Sequence, residues 1–562
     1  MHDLVIRGGT VIDGSGAPAR TADIAIDGGL ITAVEPFVGR GHREIEADGL
    51  LVTPGFVDIH THYDGQATWD PYLTPSSLHG VTTVVFGNCG VGFAPVRPGT
   101  SPYLINLMEG VEDIPGTVLS EGVSFEWESF PEYMDALAAS PKVLDIGTQM
   151  PHGALRFYVM GERGADHAEP PTPEEVERMG ELLEEALRAG ALGFSTSRTV
   201  KHRAKDGRFT PGLTAHEPEL FGLARAMKRA GRGIIEVNSD FDPGEFDLLR
   251  ETARIAGRPL SVLLIQVDRA PDLWKETLAQ IHAARAEGLE VTAQVGCRPI
   301  GVLMGLETSA HPFLTHPEWL AMSDLSPEQR YHRLRRDGEL RRILVHGHPQ
   351  NDHTRAMDFA LTRSFVLDER LDYEPEPQRS VDALAAQQNR HPWEVALDLM
   401  MRENGKGLLL NTFENYTGGN LDIVREMMLD EASVMGVADG GAHVALLCDA
   451  GSPTFLLSHW ARDRKRGPGL PIELLVHKQT RQTALAYGLE DRGLLAPGKK
   501  ADVNVIDFQR LRLLKPQVVY DLPAGGRRLM QRADGYRHTF VSGVETMCNG
   551  QHTGNLPGRL LR

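Results

Sequence analysis

Nine short apolar runs, each about the length of a strand, recur through the middle of this chain with helices between several of them, and that alternation leaves few folds open. The runs are FVDIHTH (56–62), VTTVVFGNC (81–89), VLDIGTQM (143–150), ALGFSTS (191–197), GIIEVNS (233–239), LSVLLIQV (260–267), EVTAQVG (290–296), GLLLNTF (407–413) and SVMGVADG (433–440). Continuous apolar strands alternating with helices imply a parallel sheet covered by helices. The clearest helix is TPEEVERMGELLEEALRAG (172–190), where Thr172 caps, Pro173 suits the first helical position, Glu175 completes a capping box and Gly190 supplies the stop. About eight such units favour an α/β protein built on a (β/α)8 barrel. An open nucleotide-binding sheet needs a G-x-G-x-x-G turn, and the sequence has none. Nine runs for eight places leave one surplus. Residues 300–405, long and poor in strand signal, read as an insertion with the surplus run near its end.

The two ends of the chain have a different texture. LVIRGGTVIDG, ADIAIDGGLITAVE and REIEADGLLV at the start, and ADVNVIDF (501–508) and YRHTFVSGVETMCNG (536–550) near the finish, are short alternating runs broken by glycine turns. Residues 1–53 and 488–562 are therefore expected to meet in one small β-sandwich domain, with the barrel, 54–487, looped out between them. The 562 residues, 41% hydrophobic and 24% charged, have a globular composition. A formal charge of −18 argues against nucleic acid or an anionic membrane as partner and leaves a small molecule as the expected one. MHDLVIRGGTVIDG has neither the basic nor the apolar region of a secretory leader, so a cytoplasmic enzyme is the expectation. Cys89, Cys297, Cys448 and Cys548 lie far apart without a C-x-x-C, so a disulfide framework is not expected.

In such a barrel the chemistry gathers at the carboxyl ends of the strands. His60 and His62 follow the run FVDI and, two residues apart on a strand, aim at one face, the spacing of a pair of metal ligands. His346 and His348 have the same spacing but fall in the charged, proline-rich insertion, which favours a structural role. Cys89 closes the second run between glycines, where its bland reading is a buried small hydrophobe. Asp439 ends the last run before two glycines, where its bland reading is a turn former. Near other strand ends lie Asn88, His152, Arg198, Gln266, Arg298 and His443, candidates for binding substrate. Arg198 has the two-pronged donor geometry that suits a carboxylate, and His152 is placed to hydrogen-bond an oxyanion.

PGFVDIHTH, the strand-terminal Asp and GLLAPGKKADVNVID (493–507) resemble the amidohydrolase superfamily over nearly the whole chain. HGVTTVVFGNCGVGFAPV (79–96), PHGALR (151–156), ALGFSTS and TGNLPGRLL (553–561) resemble more narrowly the D-aminoacylase, or N-acyl-D-amino-acid deacylase, family. The resemblance implies hydrolysis of an amide C–N bond by water activated at a metal ion. It implies His60, His62, Cys89 and Asp439 as metal ligands, with Asp439 also the base and then the acid of the proton transfers. Two further family ligands, histidines on strands five and six, are missing: GIIEVNSDF and LSVLLIQVD carry Asn238 and Gln266 near those places, and an amide is a poor Zn2+ ligand beside an imidazole. A carboxylated lysine does not replace them, since Lys142 precedes its strand and no lysine ends one. Two imidazoles, one thiolate and one carboxylate suit a single Zn2+, so one ion per chain is expected. The missing ligands and the loop SRTVKHRAKDGR also leave open a hydrolase of cyclic amides or imides, and a scaffold that has lost catalysis.

Overall fold

The computed structural model describes residues 1–562. Eight parallel strands line the barrel: Phe56–Asp58, Val81–Phe86, Asp145–Thr148 running on into Met150–Pro151, Gly193–Arg198, Ile234–Ser239, Leu260–Leu263, Val291–Val295 and Ser433–Met435. Each pairs in parallel with the next, through registers such as Val84↔Ile146, Phe194↔Met150 and Ala293↔Ser433. Strand eight returns to strand one through the parallel bridge Thr61↔Gly440, with His62 N donating to Gly440 O at 2.8 Å and Asp439 N to His60 O at 3.1 Å. The ladder therefore runs through all eight strands and back to the first. Their residues are almost all buried, which explains why these strands read as continuous apolar runs without a polar alternation.

The helices obey their punctuation. Pro173–Ala189 begins at Thr172, whose hydroxyl accepts from Glu175 N while Glu175 accepts from Thr172 N, and it stops at Gly190 with φ 121°. A side chain at Gly190 would sit 2.5 Å from that of Arg562, because the C-terminal tail lies along the outside of the barrel. Gly558 N donates to Lys142 O and Leu561 N to Ile146 O, both at 2.8 Å, tying the tail to strand three.

The ninth apolar run takes no place in the barrel. Leu408–Glu414 pairs antiparallel with Ile300–Met304 and Ser364–Leu367, so the inserted unit extends past residue 405. An apolar run of strand length reports burial and not which sheet buries it. The insertion has its own apolar core, with Phe313, Trp319, Leu344, Trp393 and Leu409 packed together. The two chain ends share one nine-stranded sheet, in which Leu51–Pro54 pairs antiparallel with Val503–Ile506. Leu4, Ile6, Ile24, Val52, Val503 and Phe540 form its core. All four cysteines are free.

Candidate active site

His60 and His62 continue strand one into the barrel mouth, and both are 1% exposed. Their Nε2 atoms lie 3.5 and 3.7 Å from the same oxygen, Oδ1 of Asp439. Cys89 Sγ lies 3.5 Å from His60 Nε2. Two histidines, the thiol and the carboxylate thus converge from strands one, two and eight. Cys89 and Asp439 adopt left-handed backbone conformations, φ 53° and 48°, each costing roughly 1–3 kcal/mol for a residue with a side chain. Gly441, φ 92°, allows the turn after Asp439 to abut strand one, since a Cβ there would stand 2.8 Å from His62 O.

A second layer of polar groups orients the first. His60 Nδ1 and Gln294 Oε1 are 2.9 Å apart, while the other end of that amide donates to Ser261 Oγ. His60 therefore carries its proton on Nδ1 and turns the Nε2 lone pair towards Asp439 and Cys89. Behind His62, Glu112 Oε1 stands 3.3 Å from Nδ1, and Glu112 Oε2 is 3.6 Å from His443 Nε2. A carbonyl or carboxylate behind one ring nitrogen, with the other facing inward, is how ligating histidines are held. Glu236 accepts the backbone N–H of Cys89 at 2.9 Å, and its other oxygen is 3.8 Å from His60 Nδ1.

Burial sets the electrostatics. It lowers His60 to about 4 and lifts Glu236 to about 8 and Asp58 to about 7. It drives the Cys89 thiol well above its ordinary value, with the charges of Glu236, Glu112 and Asp439 adding to the effect. Burial opposes charge on His62 too, but Glu112 and Asp439 outweigh it and raise His62 to about 9. Burial likewise opposes the Asp439 carboxylate, yet His62 and His60 hold it far below the usual range. Asp439, Glu112 and Glu236 have no ion-pair partners other than histidines. His62 Nδ1, Glu112 Oε1, Glu236 Oε1 and Asp58 Oδ2 are buried without a hydrogen bond. Such an excess of buried acceptors around imidazole and thiol donors is what a divalent cation compensates, so these residues fit a metal ion.

The other candidates divide sharply. Asn88 donates to Thr61 O and Val85 O and accepts from Gln149, all inside the wall. His152 bridges Thr196 and Glu219, at 2.8 and 2.9 Å, beside the buried Arg156–Glu219 pair. Gln266 donates to Pro271 O and accepts from Thr417 N, away from the metal candidates. Arg198 is committed to Glu245 and to the carbonyls of Gly212 and Ala215. Arg298 differs: NH2 binds Cys448 O and Asp449, but Nε and NH1 are buried and unpartnered. His443 is 19% exposed and meets only Glu112 among acidic groups. His346 and His348 pack in the insertion, His346 against the ring of His391 and His348 stacked on Trp393.

Four polar residues of the site were not anticipated: Glu112, Glu236, Gln294 and His202. Glu236 and Gln294 did leave a trace, since each is an isolated polar residue inside an apolar strand, GIIEVNS and EVTAQVG. Glu112 ends the helix Ser101–Glu112, and nothing in its neighbourhood marks it. His202 was hidden in the basic stretch SRTVKHR.

A parallel barrel gathering these donors at its mouth, with a sheet formed by both chain ends, defines a class of hydrolase-type barrels with a metal centre. The chain belongs to the amidohydrolase family, whose pattern matches residues 43–551. It is 28% identical over its whole length to a D-aminoacylase of Alcaligenes xylosoxydans xylosoxydans, covering 97% of that protein. It is also 28% identical to an N-acyl-D-glutamate deacylase of the same organism, spanning all of this chain and 96% of the relative. Among solved structures, an N-acyl-D-glutamate deacylase from Bordetella bronchiseptica, complexed with zinc and a phosphonate mimic of the tetrahedral intermediate, superposes with a TM-score of 0.65 at 24% identity, covering 100% and 99% of the two chains. No helix of the chain is long and apolar enough to cross a membrane.

Proposed function

We propose that this chain is a metal-dependent deacylase that hydrolyses the amide bond of an N-acyl-D-amino acid, with one Zn2+ held by His60, His62, Cys89 and Asp439. The observation that carries the reading is a cluster at the barrel mouth in which His60, His62 and Cys89 lie together and the Asp439 carboxylate faces both imidazoles. A zinc ion supplies a Lewis acid there, lowering the pKa of water and polarising the scissile carbonyl. Asp439 remains ionised at neutral pH, and so is the group that takes a proton from the attacking water. Handing that proton to the amide nitrogen lets the C–N bond break and the amine leave, a base-then-acid role for one carboxylate. Glu112 and Gln294 hold the two imidazoles in the orientation the site requires. Arg298, with two unpartnered N–H groups, is the better candidate than Arg198 for gripping the substrate carboxylate, because Arg198 is saturated within the protein. The D configuration is supported by the named relatives, all of which act on N-acyl-D-amino acids or are D-aminoacylases.

The test is product release from matched panels of N-acetyl-D-amino acids, their L enantiomers, and hydantoins and lactams, with zinc-loaded protein and an Asp439→Asn variant. Turnover of the D panel, abolished in the variant, is the expected result. Turnover confined to the cyclic amides replaces the deacylase reading with a cyclic amide hydrolase, and wild-type turnover by the variant removes Asp439 from the mechanism.

A further inference from the structure

The end of strand five is occupied in an unusual way. Asn238 and Glu236, two residues apart, point to the same face of that strand, and both reach Cys89: Glu236 through the backbone N–H, Asn238 by donating Nδ2–H to the sulfur at 3.7 Å. The same Nδ2 lies 3.4 Å from Nε2 of His202, on the loop after strand four. His202 Nδ1 is 2.9 Å from Ser197 Oγ, at the end of strand four. An amide nitrogen only donates, so Nε2 accepts from it and His202 keeps its proton on Nδ1, donated to Ser197. One NH2 group thus stands between a sulfur and an imidazole lone pair, with one hydrogen for each. This is the arrangement a cation would otherwise adopt between the same two donors.

Resting on the metal-hydrolase reading, we propose that Asn238 plugs a second metal position in this chain. Its amide takes the place of a further ion between Cys89 and His202 and restricts the centre to the one ion at His60, His62, Cys89 and Asp439. The neutral amide satisfies both acceptors without adding a ligand, since an amide nitrogen has no lone pair to offer a metal. A carboxylate of the same shape does the opposite. Asn238→Asp puts an oxygen where the NH2 was, facing Cys89 and His202, and the three become a thiolate, carboxylate and imidazole set of the kind that binds Zn2+ or Co2+.

The experiment loads the full-length protein and its variants with excess Co2+, removes free ion by gel filtration, and measures cobalt per chain by elemental analysis together with the visible and near-ultraviolet Co2+ spectrum. Wild type is expected to retain about one ion per chain, Asn238→Asp a second with stronger thiolate-to-cobalt absorption, and Asn238→Asp/His202→Ala one again. Asn238→His, which restores an imidazole donor at the same position, serves as a second gain-of-site variant should the aspartate misfold. Two ions in wild type overturn the plug, as does a folded Asn238→Asp and a folded Asn238→His that each hold only one. No ion in wild type is a different failure, since it removes the metal-hydrolase reading itself.

Discussion

Replacing Glu112 with glutamine isolates one link of the account, the control of metal affinity by a residue that touches no metal. Glu112 ends the helix Ser101–Glu112, and its carboxylate stands 3.3 Å from His62 Nδ1 with both side chains 1% exposed. Glutamine preserves the volume and the helix but removes the negative charge that polarises the ring. Changing the outer partners of ligating histidines costs roughly 10–100-fold in metal affinity. The Glu112–His62 contact is an ion pair without a hydrogen bond, so Glu112→Gln is expected near the weaker end, about tenfold. Competition with a chromophoric chelator measures the zinc dissociation constant, and circular dichroism checks the fold. A folded variant whose zinc affinity is within about twofold of wild type would refute the idea that Glu112 tunes His62.

Asp439→Asn should lower kcat by about 10²–10⁴-fold, the usual weight of a general acid–base group, as read from initial rates on the best substrate; an unchanged kcat excludes that role. Arg156→Met leaves Glu219 buried without its guanidinium partner, 1% exposed on both sides, and should cost about 3–5 kcal/mol in denaturant unfolding. A loss below about 1 kcal/mol shows that His152 alone sustains the carboxylate. For the metal-free chain, Glu236 and Asp58 titrate higher folded than unfolded, at about 8 and 7, and His62 does so at about 9. Each binds its proton more tightly in the folded state, so its contribution is complete below its unfolded pKa and is lost as pH rises through the folded one. His60, lowered to about 4, acts in the opposite sense only below about 6.5. The melting temperature without metal should therefore fall between about pH 6.5 and 8, above which the buried Lys142 and Lys478, each lowered to about 8, act in the opposite sense, while the stabilisation gained on adding zinc grows between about pH 6.5 and 8. A flat or rising metal-free profile contradicts these assignments.

The barrel was legible because its strands are buried on both faces, and burial on both faces writes itself as uninterrupted apolar sequence. The same signal alone does not say which sheet buries a run, and GLLLNTF, the surplus run, is buried equally well in the sheet of the insertion. The position of His60 and His62 at the mouth was legible because a strand brings alternate residues to one face and strand ends mark the mouth. That logic extends poorly to residues delivered by loops. His202 reaches the site from the loop after strand four, and Glu112 from the end of a helix fifty residues beyond the histidine it orients, so neither is implied by any local period. Position at a strand end was also too generous a criterion. Asn88, His152, Gln266 and Arg198 all sit there, yet each is saturated by neighbouring backbone or side chains, and only hydrogen-bond accounting in three dimensions separates them from Arg298, which retains two unused donors. Strand five carries the most instructive case. Asn238 lies on it near the place where the family resemblance leads one to expect a histidine, with Glu236 two residues before it, and their significance depends on Cys89 and His202, which come from strand two and from the loop after strand four.

The central claim is that His60 and His62 hold the ion on which hydrolysis depends. It is tested most directly by following product release from an N-acyl-D-amino acid before chelation, after chelation and after zinc is restored, in wild type and in a His60→Ala/His62→Ala variant, with zinc per chain measured at each stage. The account predicts that wild type loses both zinc and turnover on chelation and regains both, with about one ion per chain, while the folded variant has neither at any stage. Turnover that survives complete removal of zinc, or a variant that hydrolyses as wild type does, would contradict it.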